Sequence, residues 1–127
     1  MMLYVGLAGI CGALARYGLS VLWNPSTSSV FPWGTLFCNF AGCLFIGFLA
    51  FAKELRIPAN LRLTLTTGFI GSFTTFSTFS YETVNMLRTD HFGLAAVYVL
   101  GSLWGGLAFT WLGARFGQSF GGAGRPL

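Results

Sequence analysis

Charge is what this sequence has least of. Charged residues make up 8% of its 127 positions, against about a quarter in an ordinary soluble domain. So little charge cannot cover a water-facing surface, which excludes a soluble globular protein. Acids are scarcest: Glu54, Glu82 and Asp90 are the only three. The one histidine, His91, stands in a short connection beside Asp90. No His and Cys cluster could hold a metal, and no nucleophile has a base within reach along the chain, so no enzyme is predicted. Three cysteines, Cys11, Cys38 and Cys43, fall inside apolar runs and form no spaced disulfide framework. They read as small packing residues. Gly9 to Gly12 follows no strand and makes no phosphate-binding turn. The opening Met1-Met2-Leu3-Tyr4 carries no basic segment, so no removable signal peptide is expected.

What the chain does have is oil. Hydrophobic residues are 54% of it. They gather in four runs, each near the ~20 residues that cross a bilayer: about 3–23, 31–52, 61–87 and 92–116. Asn24-Pro25-Ser26-Thr27-Ser28-Ser29 closes the first run, Lys53-Glu54 closes the second, and Pro58 precedes the third. The expected fold is an all-α integral membrane protein. It is a single transmembrane domain over 1–127, with four antiparallel helices and a loose Gly-rich tail at 117–127. Seven basic residues give a net charge of +4. All but Arg16, which lies inside the first run nearer its far end, stand between or beside the apolar runs, so they orient the chain in a lipid bilayer, and no nucleic-acid partner is expected. Lys53, Arg56 and Arg62 mark the second connection, Arg115 and Arg125 follow the last run, and Arg88 alone marks the third connection. This bias puts both termini and the middle connection in the cytoplasm.

Small residues recur four apart, as in Gly9 and Ala13, Gly101 and Gly105, and Gly113 and Gly117. Such pairs let membrane helices approach closely. Most serve packing within one subunit. Four helices can barely enclose a hydrated path, so a homodimer is also expected.

Polar residues inside the runs are costly in hydrocarbon and point to function. Thr35, Asn39 and Gly42 share a helical face in the second run, as do Tyr98, Ser102 and Gly105 in the fourth. Asn39 brings two amide donors, for a bond between helices or for a solute. Residues 68–82 are too polar for a plain anchor and too apolar for a loop. Gly71, Thr75, Thr78 and Glu82 fall at helical spacing as a polar stripe, with Phe76 and Phe79 as an aromatic pair beside them. Gly68, Gly71, Thr74 and Thr75 weaken the helix. A break there would free carbonyls able to hold a monovalent cation. Phenyl edges are positive. With neutral donors they suit a small anion that must bind yet leave. A neutral polar solute would suit the same groups.

Three stretches carry a resemblance: Gly12-Ala13-Leu14-Ala15-Arg16-Tyr17, Gly34 through Thr35 and Asn39 to Gly42, and Gly68-Phe69-Ile70-Gly71 through Thr74-Thr75-Phe76-Ser77-Thr78-Phe79-Ser80. They resemble the Fluc (CrcB) fluoride channels of microbes, over all four runs and in order. The third stretch is highly specific. The resemblance implies a fluoride-selective passive channel in the inner cell membrane that exports the ion. It implies an antiparallel, dual-topology homodimer with two pores and a third helix broken near its middle. Phe76 and Phe79 would line the anion path, with Asn39, Ser102 and Tyr98 as polar contacts. Thr35, Thr75, Thr78 and Glu82 would lie along it, and Arg16 near its vestibule. Gly71 and Thr74 would give backbone carbonyls from both subunits to a structural sodium ion (Na+) at the dimer centre. No organic cofactor is implied. Gly106 stands where some members carry a second fourth-helix Ser.

Two rivals belong to other classes. A small four-helix, proton-coupled multidrug exporter needs a membrane-embedded carboxylate. The first run has none, and Glu82 is near the end of the third. A non-transporting membrane assembly subunit would explain the small-residue faces but not the Gly, Phe, Thr and Ser segment. Proton-dependent dye efflux would favour the first, and absence of any ion flux the second.

Overall fold

The computed structural model describes residues 1–23 and 31–120. The turn cluster at 24–29 and the tail with Arg125 and Pro126 lie outside the described residues. Among the described residues there is no strand. Helix α1 spans Met2–Trp23, α2 Trp33–Phe51 and α6 Phe92–Ser119. Among the described residues three helices, Met2–Leu22, Trp33–Phe51 and Phe92–Ser119, are long and apolar enough to cross a membrane. The third run is divided. A short α3, Ala59–Leu63, passes into a π-helical stretch, Thr64–Ile70, and a single turn, α4, Gly71–Phe73. Then Thr74 turns extended (φ −84°, ψ 157°), and α5 runs Ser77–Arg88.

The pieces fit because glycine lets them. α2 packs chiefly on α6, and α1 on the π stretch and α4. Gly12 of α1 faces the Phe69 carbonyl, and Gly68 returns the contact: a methyl there would lie 2.7 Å from the Val5 carbonyl. Gly113 sits on the Leu44 carbonyl and Gly117 on the Phe48 carbonyl. These small residues thus work inside the subunit. They also correct one expectation. Residues 117–119 are helical rather than loose, because buried Gly117 keeps the last turns of α6 against the end of α2.

Gly113→Val should lower the unfolding midpoint in detergent. Its branches would meet backbone atoms of Leu44 and Phe48, which cannot yield as a side-chain tip can, so the cost is about 1–3 kcal/mol or more. An unchanged midpoint would mean that the two helices do not touch there.

Candidate functional site

The break in the third run has an identifiable cause. In a continuing helix the Thr75 N–H would return to the Gly71 carbonyl. Here it donates to Asn39 Oδ1 of α2 at 2.8 Å. Asn39 Nδ2 donates back to the Thr75 carbonyl at 3.1 Å. One side-chain amide thus replaces both halves of a backbone pair. The first donors of a helix have no partner within it. Thr75 Oγ1 supplies one, accepting from the Thr78 N–H at 3.1 Å. It also donates to Thr78 Oγ1 at 3.1 Å. Arg16 of α1 reaches that same oxygen through Nη1 at 3.4 Å. The Arg16 Nε is buried without a partner among the described residues.

A second polar cluster holds the far half of the segment. Both Glu82 oxygens accept hydroxyl bonds at 2.8 Å, one from Thr35 and one from Tyr98. Thr35 and Tyr98 are fully buried. The carboxylate therefore ties α5 to α2 and α6 at once. Tyr98 also packs on Met86 and Ala95, with Phe79 against that core.

Between α2, the break and α6 lies a groove of about 540 Å³. Asn39, Thr74, Thr75, Phe76, Phe79 and Ser102 line it. Phe76 and Phe79 have ring centroids 5.8 Å apart, and Phe79 stands 5.0 Å from the Tyr98 ring. Phe76 is 79% exposed. α5 starts at the groove's edge, so the positive end of its dipole lies there. Hydroxyls, an amide, ring edges and a helix start can together solvate an anion with no full positive charge.

The structure therefore sorts the sequence-predicted residues into four groups. Six face the groove. Thr35, Glu82 and Tyr98 form the clamp behind it, and Thr78 joins Arg16 to the break. Gly71 is exposed on α4. The expected stripe of Gly71, Thr75, Thr78 and Glu82 is not one helical face: the chain leaves the helix at Thr74, so Gly71 and Thr78 belong to different helices. Sequence reasoning passed over Cys43 and Ile46 on the groove wall. Their spacing from Asn39, four and seven residues on, was the signal.

Comparison with known proteins agrees over most of the length. A family model described as CrcB-like protein, Camphor Resistance (CrcB), matches residues 3–114. The Fluoride-specific ion channel FluC 2 of Moorella thermoacetica is 48% identical over 111 residues, which is 87% of this chain and 91% of the relative. FluC 2 of Geobacillus kaustophilus is 44% identical over 118 residues, 91% of this chain and 92% of the relative. FluC of Nitratidesulfovibrio vulgaris is 45% identical over 116 residues, 90% of this chain and 94% of the relative.

Proposed function

This chain belongs to the CrcB family, and on that premise we propose that it is a fluoride-specific ion channel, a multi-pass protein and not an enzyme. The observation that carries the reading is the groove at the helix break, with its uncharged donors and its exposed ring, Phe76. Fluoride is small and binds hydrogen donors strongly. Asn39, through its second amide hydrogen, and Ser102 replace part of its water, and the edges of Phe76 and Phe79 guide it. None of these groups carries a full charge, so the ion can leave. Thr78, backed by Arg16, steadies Thr75. Thr35, Tyr98 and Glu82 hold α5 in place. With both oxygens engaged, Glu82 is poorly placed to exchange protons with a drug, which counts against an exporter.

The finer architecture is part of the same proposal. Four spans cross the inner cell membrane, the third broken, and two antiparallel copies form a dual-topology homodimer with two pores that lets cytoplasmic fluoride out passively. The open groove supports this, because a second copy would close it. A structural Na+ at the dimer centre fits the chain's own chemistry. Diversion of the Thr75 N–H to Asn39 leaves the Gly71 carbonyl without that donor. Thr74 is extended, so its carbonyl is also turned out of the helical ladder. Carbonyls of both residues, from both subunits, would supply the hard oxygen ligands such an ion takes.

Vesicles loaded with equal fluoride and chloride test the reading. A preference of ~3 kcal/mol for the smaller ion gives roughly a hundredfold faster fluoride release. Equal release of the two halides would defeat it. Replacing sodium by a bulky organic cation should lower the flux. Identical flux in the two buffers would remove the cation from the proposal.

A further inference from the structure

We propose that the cytoplasmic-type, basic end of this chain carries a seat for an anionic phospholipid, distinct from the anion groove. One acyl chain lies between α2 and α6, and the headgroup phosphate rests on Lys53 and Arg56. The proposal requires only that the chain sit in a bilayer.

The seat for the acyl chain is a second groove of about 270 Å³, lined by Leu44, Phe45, Phe48, Gly113, Phe116 and Phe120. Every one of these residues is apolar or glycine. Its floor is the close approach of Gly113 to the Leu44 carbonyl. Its outer end is set by Phe120, whose ring meets Phe48 edge-on at 5.7 Å. That end coincides with the end of α2. Gly117 lies against Phe48, Phe51 and Ala52, and Lys53 is the next residue. A chain leaving the groove past Phe120 therefore emerges beside Lys53.

The charge at that end is one-sided. Lys53, Arg56 and Arg62 surround the connection, with Glu54 as its single acid. Arg62 is already engaged: its Nη1 donates to the Leu49 carbonyl and closes the end of α2. Arg115 lies over the Trp111 ring, 5.4 Å from its centroid. Lys53 and Arg56 stay exposed. Basic residues at a helix end beside the headgroups attract anionic lipid, and basic pockets between membrane helices take phosphate heads.

Arg56 adds an independent sign. It ends the short helical turn Lys53–Leu55 in the left-handed conformation, φ 45°, ψ 40°. Such a position favours Gly or Asn. A side chain there is strained, and strain of this kind collects at ligand clamps.

Native mass spectrometry of the full-length protein, offered equal phosphatidylglycerol and phosphatidylcholine of matched chains, tests this. The intact protein should retain about tenfold more phosphatidylglycerol, as ~1 kcal/mol per basic residue near the surface allows for two residues after partial screening. Lys53→Gln with Arg56→Gly should abolish the preference. Arg56→Gly alone should weaken it while raising the unfolding midpoint, since the strain is relieved. Phe45→Ala with Phe116→Ala, both at exposed rings, should reduce retention of both lipids. Equal retention by the intact protein would overturn the proposal, as would a preference that survives Lys53→Gln with Arg56→Gly. Full retention after loss of both rings would also overturn it.

Discussion

Asn39→Ala should cut fluoride flux by at least about tenfold, the effect of a ~1.4 kcal/mol rise in barrier, while leaving the protein folded. Two hydrogen bonds are lost, both to Thr75. Hydrogen bonds between membrane helices are worth only ~0.6–1.7 kcal/mol each. The packing of α1, α2 and α6 rests on other contacts and outlasts their loss. The break does not. Without Asn39 the Thr75 N–H is free to return to the Gly71 carbonyl, and the helix closes over the groove. Asn39→Asp separates the two roles. Its carboxylate still accepts from Thr75 but donates nothing, and it places negative charge on the wall of the groove proposed for fluoride. It should hold the break better than Ala and conduct no better. Flux assays on vesicles, with the unfolding midpoint measured in parallel, read both effects. Full flux in the Ala variant would show that this amide neither holds the break nor serves the ion.

Replacing Phe76 and Phe79 together by Ile should slow fluoride about thirtyfold. Taking about 1 kcal/mol for each ring edge offered to the anion, the size of the electrostatic term in an aromatic pair, a loss of ~2 kcal/mol at the barrier gives that factor. Assembly should survive. Phe76 is 79% exposed in the subunit, so its ring contributes little to folding. Phe79 touches the Tyr98 core, and Ile keeps most of that apolar volume. The single variants should differ in kind. Phe76→Ile should change flux alone, whereas Phe79→Ile should also lower the unfolding midpoint, since its ring packs on Tyr98 at 5.0 Å. Unchanged flux in the double variant, with the elution volume on size-exclusion chromatography unaltered, would take the rings out of the mechanism.

Much of the site was legible because its residue types are expensive where they stand. Asn39, Thr35 and Glu82 stand inside apolar runs, and that alone marks them. Their partners were not legible. Helical spacing put Gly71, Thr75, Thr78 and Glu82 on one stripe, but spacing assumes an unbroken helix. The amide that interrupts it comes from another helix, 36 positions away. Glu82 read as a polar neighbour of the path. In the fold it is a tie between three helices, because the two hydroxyls that meet it come from α2 and α6.

Composition and order alone determined that this chain is helical, that it belongs in lipid, and which family it joins. Those properties depend on local sums: apolar length, scarcity of charge, and residue types in sequence. Only the tertiary structure decided which donor meets which acceptor, where the third run leaves the helix, and which polar side chains face the groove rather than brace it. In hydrocarbon each polar group must find a partner inside the protein, and the nearest one in space is set by how distant helices pack. The bond from Arg16 to Thr78, 62 positions apart, is such a pairing.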